Sequence, residues 1–379
     1  MIHEFSDYMH DQLISKAVGM LQISSTCNVH CVFCSNLMGP VQPKRLPFRT
    51  VEEIKKAILH LSPEHGQEID ISTGLFGNIS EGEPLIHPKF FEILEVIREQ
   101  FDNPISFVSN GIMLTPSFIG RLSQYRPIRA KISFHSSDPD NWCNIFNSTR
   151  DNYDIVRQSF PIMHANGIDV DGVVVALPNM VGYDDIKSTC AELAKYVRTI
   201  CIFSPGYTEE VPDDLKDILS VDHKELSRFV SKLNKELGIY ITLMADVLKP
   251  LELKFGDVML ESYDQGFRNV AWLFSEAVYE QAKVLLEREC DFVPSNHYAR
   301  MVKNYTYGGN VIVSGLLMVN DFKVEISRAL NDIKGLDLVV LPILKFADRY
   351  GYDMLGTNYS ELDKFNVEAW HIDCGGYIP

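Results

Sequence analysis

Three cysteines fall within one short stretch, Cys27-Asn28-Val29-His30-Cys31-Val32-Phe33-Cys34. A loop of this length can carry three thiolates to one metal group but cannot saturate it. A four-iron cluster takes four thiolates, and a tetrahedral zinc also takes four ligands. The loop therefore implies either a distant fourth ligand or an iron left open for chemistry. His30, on the same loop, is the local candidate for completing a zinc knuckle.

The spacing Cys-x3-Cys-x2-Cys, with Phe33 as the aromatic residue before the last cysteine, resembles the radical S-adenosylmethionine (SAM) superfamily. That resemblance implies a [4Fe–4S] cluster held by Cys27, Cys31 and Cys34, with SAM chelating the fourth iron. It also implies reductive cleavage of SAM to a 5′-deoxyadenosyl radical that abstracts hydrogen from a substrate, and a partial (β/α)6 barrel as the fold.

The chain of 379 residues carries 35 Lys+Arg against 51 Asp+Glu, a formal charge of −16. Such a field repels polyanions unless a basic groove overrides it, and no Lys/Arg-rich run is visible, so nucleic acid is not an expected partner. Residues 1–16 lack the cationic start and apolar run of a signal peptide, and no run of eighteen apolar residues suggests a membrane span. A cytoplasmic location is expected, where clustered thiols read as metal ligands rather than disulfides.

After the cysteine loop, short β-branched runs alternate with amphipathic helical segments, the pattern of βα units on a parallel sheet. Expected strands are Leu21 to Ser24, one leading into Ser80-Glu81-Gly82-Glu83-Pro84, Ile105 to Ser109, Ala130 to Phe134, Val170 to Leu177 and Thr199 to Ser204. Thr50 with Glu53 reads as a capping box. Pro88 opens a helix with Phe91, Leu94 and Ile97 inward, Thr115-Pro116 opens another, and Asp184 to Val197 is a further helix. From about Asp246 the alternation lapses. A helical stretch is expected around Trp272 to Glu289 and a strand at Val311 to Ser314. The expected architecture is α/β, a partial (β/α)6 barrel over 1–245 followed by a smaller α+β domain over 246–379, able to contact substrate or cap the barrel.

In a parallel βα barrel the loops at the carboxyl ends of the strands build the active site. Gly82-Glu83-Pro84 resembles the family's Gly-Gly-Glu-Pro segment, with Glu81 in place of the first glycine. The resemblance implies that Gly82 admits backbone close to the ligand and that Glu83 takes the SAM ammonium group. Asn110-Gly111 is similar to the turn that approaches cluster and SAM, and Ser133 is implied to touch SAM. Phe33 belongs to the same cofactor-binding set. Strand alternation puts Ser133 and His135 on one side. His135 is either a satisfied core histidine or a substrate acid/base. Cys143 is a candidate hydrogen-atom donor, and Tyr207, after the sixth strand, could touch adenine or substrate. Cys190, Cys201, Cys290 and Cys374 show no paired spacing.

His135-Ser136-Ser137-Asp138-Pro139, then Tyr263-Asp264-Gln265-Gly266-Phe267, Asn304, Gly308, Gly315-Leu316-Leu317 and Asp321, resemble a radical SAM subgroup whose core precedes a C-terminal domain of unknown function. The expected function is a SAM-dependent radical enzyme acting on a small molecule or peptide, supplied with electrons by a donor such as flavodoxin or ferredoxin. The alternative from another class is an electron-transfer or structural Fe–S protein with a fully ligated cluster.

Overall fold

The computed structural model describes residues 3–4, 21–34, 41–42, 48–72, 82–243, 255–290, 293–312, 316–342, 353, 355 and 357–372. The chain divides into two compact units, Asp11–Val247, and Leu248–Pro379 with Met1–His10.

The first unit is built on one sheet: β1 (Ile69–Asp70), β2 (Ile105–Ser109), β3 (Ile128–Ser133), β4 (Asp169–Val175), β5 (Thr199–Phe203) and β6 (Tyr240–Leu243). The strands lie in sequence order and every pairing is parallel. The lead-in to the cysteine loop lies along β1, with Leu21 and Ile23 donating backbone hydrogen bonds to Asp70 and Ile71 at 2.7 and 3.2 Å. Helices α1 (Val51–Ile58), α2 (Phe90–Arg98), α3 (Pro116–Leu122), α4 (Pro139–Phe146), α5 (Arg150–Ala165), α6 (Pro178–Leu193), α7 (Asp213–Leu219) and α8 (His223–Leu237) fill the connections. Right-handed crossovers between strands that never reverse order leave the helices on a single face of the sheet.

Local chemistry sets the helix ends. Thr50 and Glu53 form the reciprocal capping box, Thr115 caps α3 ahead of Pro116, and Asp138 accepts from the Asp140 and Asn141 N–H groups to start α4. Helix α8 stops at Gly238, whose φ of 65° suits a residue without a β-carbon. In α2 the inward set is Phe90, Ile93, Leu94, Val96 and Ile97, so Leu94 and Ile97 face the core as expected while Phe91 is only partly buried.

Burial alternates along the strands. In β3, Ile128, Ala130 and Ile132 are buried under the helices while Arg129, Lys131 and Ser133 are half-buried. In β5 the same alternation separates Ile200 and Ile202 from Thr199, Cys201 and Phe203. Parallel sheets are usually covered on both faces. This one has a sealed face and a half-open polar face, as the wall of an open barrel has toward its lumen. Across the amino-terminal half of that face, Arg129 pairs with Glu68 and Asp171, Lys131 with Glu68 and Asp70, and Arg198 with Asp171, so three cations and three anions neutralise one another.

The expected strand Leu21 to Ser24 is not formed as a regular strand, although Leu21 and Ile23 bond along β1. Strand β6 was not expected, because Tyr240-Ile241-Thr242-Leu243 is only four residues long and its signal is weak beside the boundary where the βα rhythm stops. Ser80 and Glu81 lie outside the described residues.

The second unit also contains a parallel sheet, in the order β8-β7-β9-β10: β7 (Asn269–Ser275), β8 (Asn296–Val302), β9 (Leu338–Pro342) and β10 (Glu368–Ile372). Helices α9 (Phe255–Asp264) and α10 (Tyr279–Glu289) pack on one face against Val270, Trp272, Phe274, Leu338 and Val340. Helix α11 (Val319–Asp332) packs on the other against Ala271, Leu273, Val302 and Val339. All four strands run parallel, a more regular arrangement than the α+β expected. Trp272 is fully buried in β7, not helical: a strand covered on both faces is apolar at every position, and its periodicity is that of a buried helix segment. The strand expected at Val311 to Ser314 is not formed at Val311 and Ile312, and its remainder lies outside the described residues.

Candidate cluster and cofactor site

The cysteine loop is fixed from three sides. Ser24 Oγ accepts from the Thr26 N–H at 2.9 Å, the Val32 N–H donates to the Ile145 carbonyl at the end of α4 (3.0 Å), and the Cys34 N–H turns back onto the Cys31 carbonyl (3.1 Å). Arg49, 5% exposed, braces the lead-in from below, donating through Nη1 to the Gln22 carbonyl (2.9 Å) and through its N–H to the Ile23 carbonyl (3.0 Å). His87 Nε2 in turn donates to the Arg49 carbonyl at 2.9 Å. Neither Arg49 nor His87 was singled out in the sequence, since their roles depend on backbone partners distant along the chain.

The third side is the Gly82-Glu83 segment. A β-carbon on Gly82 would stand 2.5 Å from the Ser25 carbonyl carbon and 2.6 Å from the Thr26 oxygen, both backbone atoms that cannot yield. Gly82 thus admits the cysteine loop itself, and the Glu83 N–H donates to the Thr26 carbonyl at 2.8 Å. The Glu83 carboxylate is 2% exposed. It accepts from Ser109 Oγ (2.9 Å) and the Leu85 N–H (3.1 Å) on Oε1, and from the Asn110 N–H (2.7 Å) on Oε2. Burial outweighs these donors and pushes its pKa up to about 7. No cation among the described residues pairs with it.

Asn110, 6% exposed, reaches back to the loop. Its Nδ2 donates to Asn28 Oδ1 at 2.7 Å and lies 3.9 Å from Cys27 Sγ, and its Oδ1 accepts from the Ile112 N–H at 3.1 Å. Gly111, at φ 78°, completes the turn, where a β-carbon would press on Val156 at 3.1 Å. Cys27 keeps exposed surface, yet desolvation around its sulfur raises the thiol to about 11, with the Glu83 and Cys34 charges adding to the rise and the Val29 and Asn28 N–H groups opposing it. Cys31 is raised further, by burial and then by the Cys34 and Cys27 thiols.

The other candidates divide. Phe33 stands edge-on to His135, with ring centroids 4.8 Å apart, and His135 stacks on Phe146 at 4.8 Å. His135 is 2% exposed, accepts the Val175 N–H on Nδ1 at 3.0 Å, and is held neutral by burial, its pKa lowered to about 3. It braces the cysteine loop against α4 and β4. Ser133 is half-buried on the open face of β3. The two differ because β3 ends at Ser133, and His135 turns to the sheet's edge to cap Val175. Cys143 lies on α4, and its charged neighbours are Arg150, Asp140 and Asp154 rather than the loop thiols. Tyr207 follows β5 and packs partly against the core.

Among the described residues, no three His, Cys, Asp or Glu side chains converge closely enough to hold a single ion. The thiols of Cys27, Cys31 and Cys34 nevertheless sense one another's charge. Three soft donors on one short loop suit a cluster of several irons, each cysteine on its own metal. Among the described residues the buried carboxylate beside them has no cation, which the ammonium group of SAM would supply.

Residues 21–184 match the sequence model of the radical SAM superfamily. The chain resembles that superfamily over this stretch, which is less than half of its length. It is similar to mycofactocin maturase MftC of Mycolicibacterium smegmatis, 22% identical over 196 residues that make up 51% of this chain and 46% of that protein. It is also similar to a probable GTP 3′,8-cyclase of Thermoplasma volcanium, 27% identical over 122 residues, 32% of this chain and 34% of that protein. The chain thus spans about half the length, or less, of the curated relatives it matches. Streptococcus suis SuiB bound to S-adenosylmethionine aligns with 63% of this chain and 54% of its own at 12% identity, with a TM-score of 0.48. The radical SAM family uses a [4Fe–4S] cluster and SAM, and the donor set above fits both. No helix among the described residues is long and apolar enough to cross a membrane.

Proposed function

We propose that the chain is a radical SAM enzyme in which Cys27, Cys31 and Cys34 hold a [4Fe–4S] cluster, Glu83 binds the SAM ammonium group, and Gly82, Asn110, Ser133 and Phe33 shape the pocket around cluster and SAM. The observation that carries this reading is the Glu83 carboxylate, buried with no cation beside it among the described residues and suspended from Ser109, Asn110 and Leu85 directly behind the cysteine loop. When bound, cluster and SAM together supply a 5′-deoxyadenosyl radical for hydrogen abstraction.

The protein's own part is placement and exclusion of water. The charge layer of Arg129, Lys131, Arg198, Glu68, Asp70 and Asp171 closes the amino-terminal half of the open sheet face and offers no net charge to a ligand. In the row above it, Ser133, Val173, Cys201 and Thr242 are in register across four strands, leaving a neutral floor of small side chains. A small molecule or an extended peptide segment fits such a floor. The one-electron donor is a low-potential protein of the flavodoxin or ferredoxin kind, and the reducing cytosol keeps the three thiols free. The second unit, Leu248–Pro379 with Met1–His10, is assigned a role in contacting or covering substrate.

Anaerobically reconstituted protein given SAM and dithionite should release 5′-deoxyadenosine, and Cys31→Ala should lose both cluster and product. A brown, iron-loaded protein that yields no 5′-deoxyadenosine would indicate a fully ligated electron-transfer cluster instead, and a colourless zinc protein would end both Fe–S readings.

A further inference from the structure

The side-chain amide of Asn110, from the far side of the pocket, brings Nδ2 to 3.9 Å from the sulfur of Cys27. Asn110 is fixed in this position. Its Oδ1 accepts from the Ile112 N–H, which leaves the amide NH2 directed at the loop, and one of the two amide hydrogens is engaged by Asn28 Oδ1. The second is the one available to Cys27. The backbone N–H of Asn110 donates at the same time to Glu83 Oε2, so a single residue joins the carboxylate to the cysteine loop.

Resting on the functional reading above, we propose that Asn110 is a positioning residue that sets the reduction potential of the cluster through an N–H···S hydrogen bond to Cys27. One electron from a low-potential donor adds one negative charge to the cluster, spread over its sulfurs. A donor hydrogen bonded to a ligating sulfur stabilises that added charge and raises the potential. The side chain was expected among the SAM contacts. The geometry points to the thiolate, with SAM affected only through Glu83.

Potentiometric titration of the anaerobically reconstituted full chain, followed by the EPR signal of the reduced cluster, tests this. Asn110→Ala removes the donor. Asn110→Asp also removes it but keeps an acceptor for the Ile112 N–H, so the turn survives. Asn28→Ala breaks the same loop-to-loop side-chain bridge while leaving the Asn110 amide free to face Cys27. Asn110→Ala should lower the equilibrium constant for one-electron reduction by about tenfold, a shift of about −59 mV, and Asn110→Asp, whose carboxylate adds a negative charge beside the sulfur, by more. Asn28→Ala should stay near the wild-type potential. Wild-type potentials in both Asn110 variants, or an equal shift in Asn28→Ala, would overturn the proposal. So would loss of iron from both Asn110 variants while Asn28→Ala keeps its cluster, which would make Asn110 a structural brace. Absence of iron from the reconstituted wild-type chain is a separate outcome, and it overturns the functional reading together with this inference.

Discussion

Glu83→Gln is the substitution that best isolates charge from shape. The carboxylate accepts three hydrogen bonds from Leu85, Ser109 and Asn110. If the new amide oxygen keeps Leu85 and Ser109, its NH2 meets the Asn110 N–H and one buried donor is orphaned. That costs ~1–3 kcal/mol of stability, lowering the melting temperature without necessarily removing the cluster. The larger effect falls on SAM. Hydrogen bonds to charged groups are worth ~1.5–3 kcal/mol, so losing the carboxylate should weaken SAM binding by about 10- to 150-fold. Calorimetry on cluster-loaded protein, with iron content matched between samples, reads this directly.

The pKa of Glu83 adds a second check. Burial raises it to about 7, so the ligand-free protein holds a proton there below that pH, and binding an ammonium group must first expel it. Wild-type affinity should therefore fall as pH drops through 7, by roughly eightfold between pH 7.5 and pH 6 if binding requires the carboxylate. Dividing by the Gln variant removes any titration of SAM's own amine. Ser109→Ala, which trims one hydrogen bond and leaves the charge, should cost only ~0.5–1.5 kcal/mol. SAM affinity in Glu83→Gln within threefold of wild type, with iron retained, would refute the assignment of the ammonium site.

Two glycines should respond in opposite directions to the same change. Gly82→Ala drives a β-carbon to 2.5 Å from the Ser25 backbone and should prevent cluster assembly, whereas Gly120→Ala, in α3 with nothing within 4 Å, should stabilise the protein by ~0.5–1 kcal/mol in thermal or urea unfolding. Normal iron loading in Gly82→Ala would contradict the close approach. His135 is held neutral, with a folded pKa near 3 against 6.5 when exposed. Because the unfolded chain takes up the proton first, stability from this group is complete above pH 6.5 and falls as pH drops, by about 2 kcal/mol at pH 5. In His135→Phe that acid-sensitive portion should vanish from a comparison of urea midpoints at pH 7 and pH 5, and an unchanged pH dependence would show that another group carries it.

The features legible in the sequence are those whose meaning is local. The Thr50 capping box, Thr115-Pro116 and the run Ile105–Ser109 each state their structure within a few residues, and each is found as read. The alternation of buried and half-open residues in β3 was equally plain, and it was extended one step too far: the strand ends at Ser133, so His135 answers to the Val175 N–H instead of the pleat. The second unit was harder for the same reason in reverse. Val270 to Phe274 has no polar face to give a period, because helices cover both sides, so nothing in the run distinguishes strand from helix.

What no local pattern could carry is the pairing across the pocket. Asn28 was a spacer between cysteines and Ser109 the end of a strand; only the fold brings the first to Asn110 and the second to Glu83. These contacts form one continuous path: Ser109 and the Asn110 N–H hold the carboxylate, the Asn110 amide holds Asn28 and faces Cys27, and Gly82 lets the backbone of residue 83 bond that of Thr26. The carboxylate and the cysteine loop are tied to each other through these contacts. The distance between the cysteine thiols and the Glu83 carboxylate is thus fixed by backbone and short side chains with few rotamers to lose, the kind of rigidity that the proposed cofactor bridging both points would require.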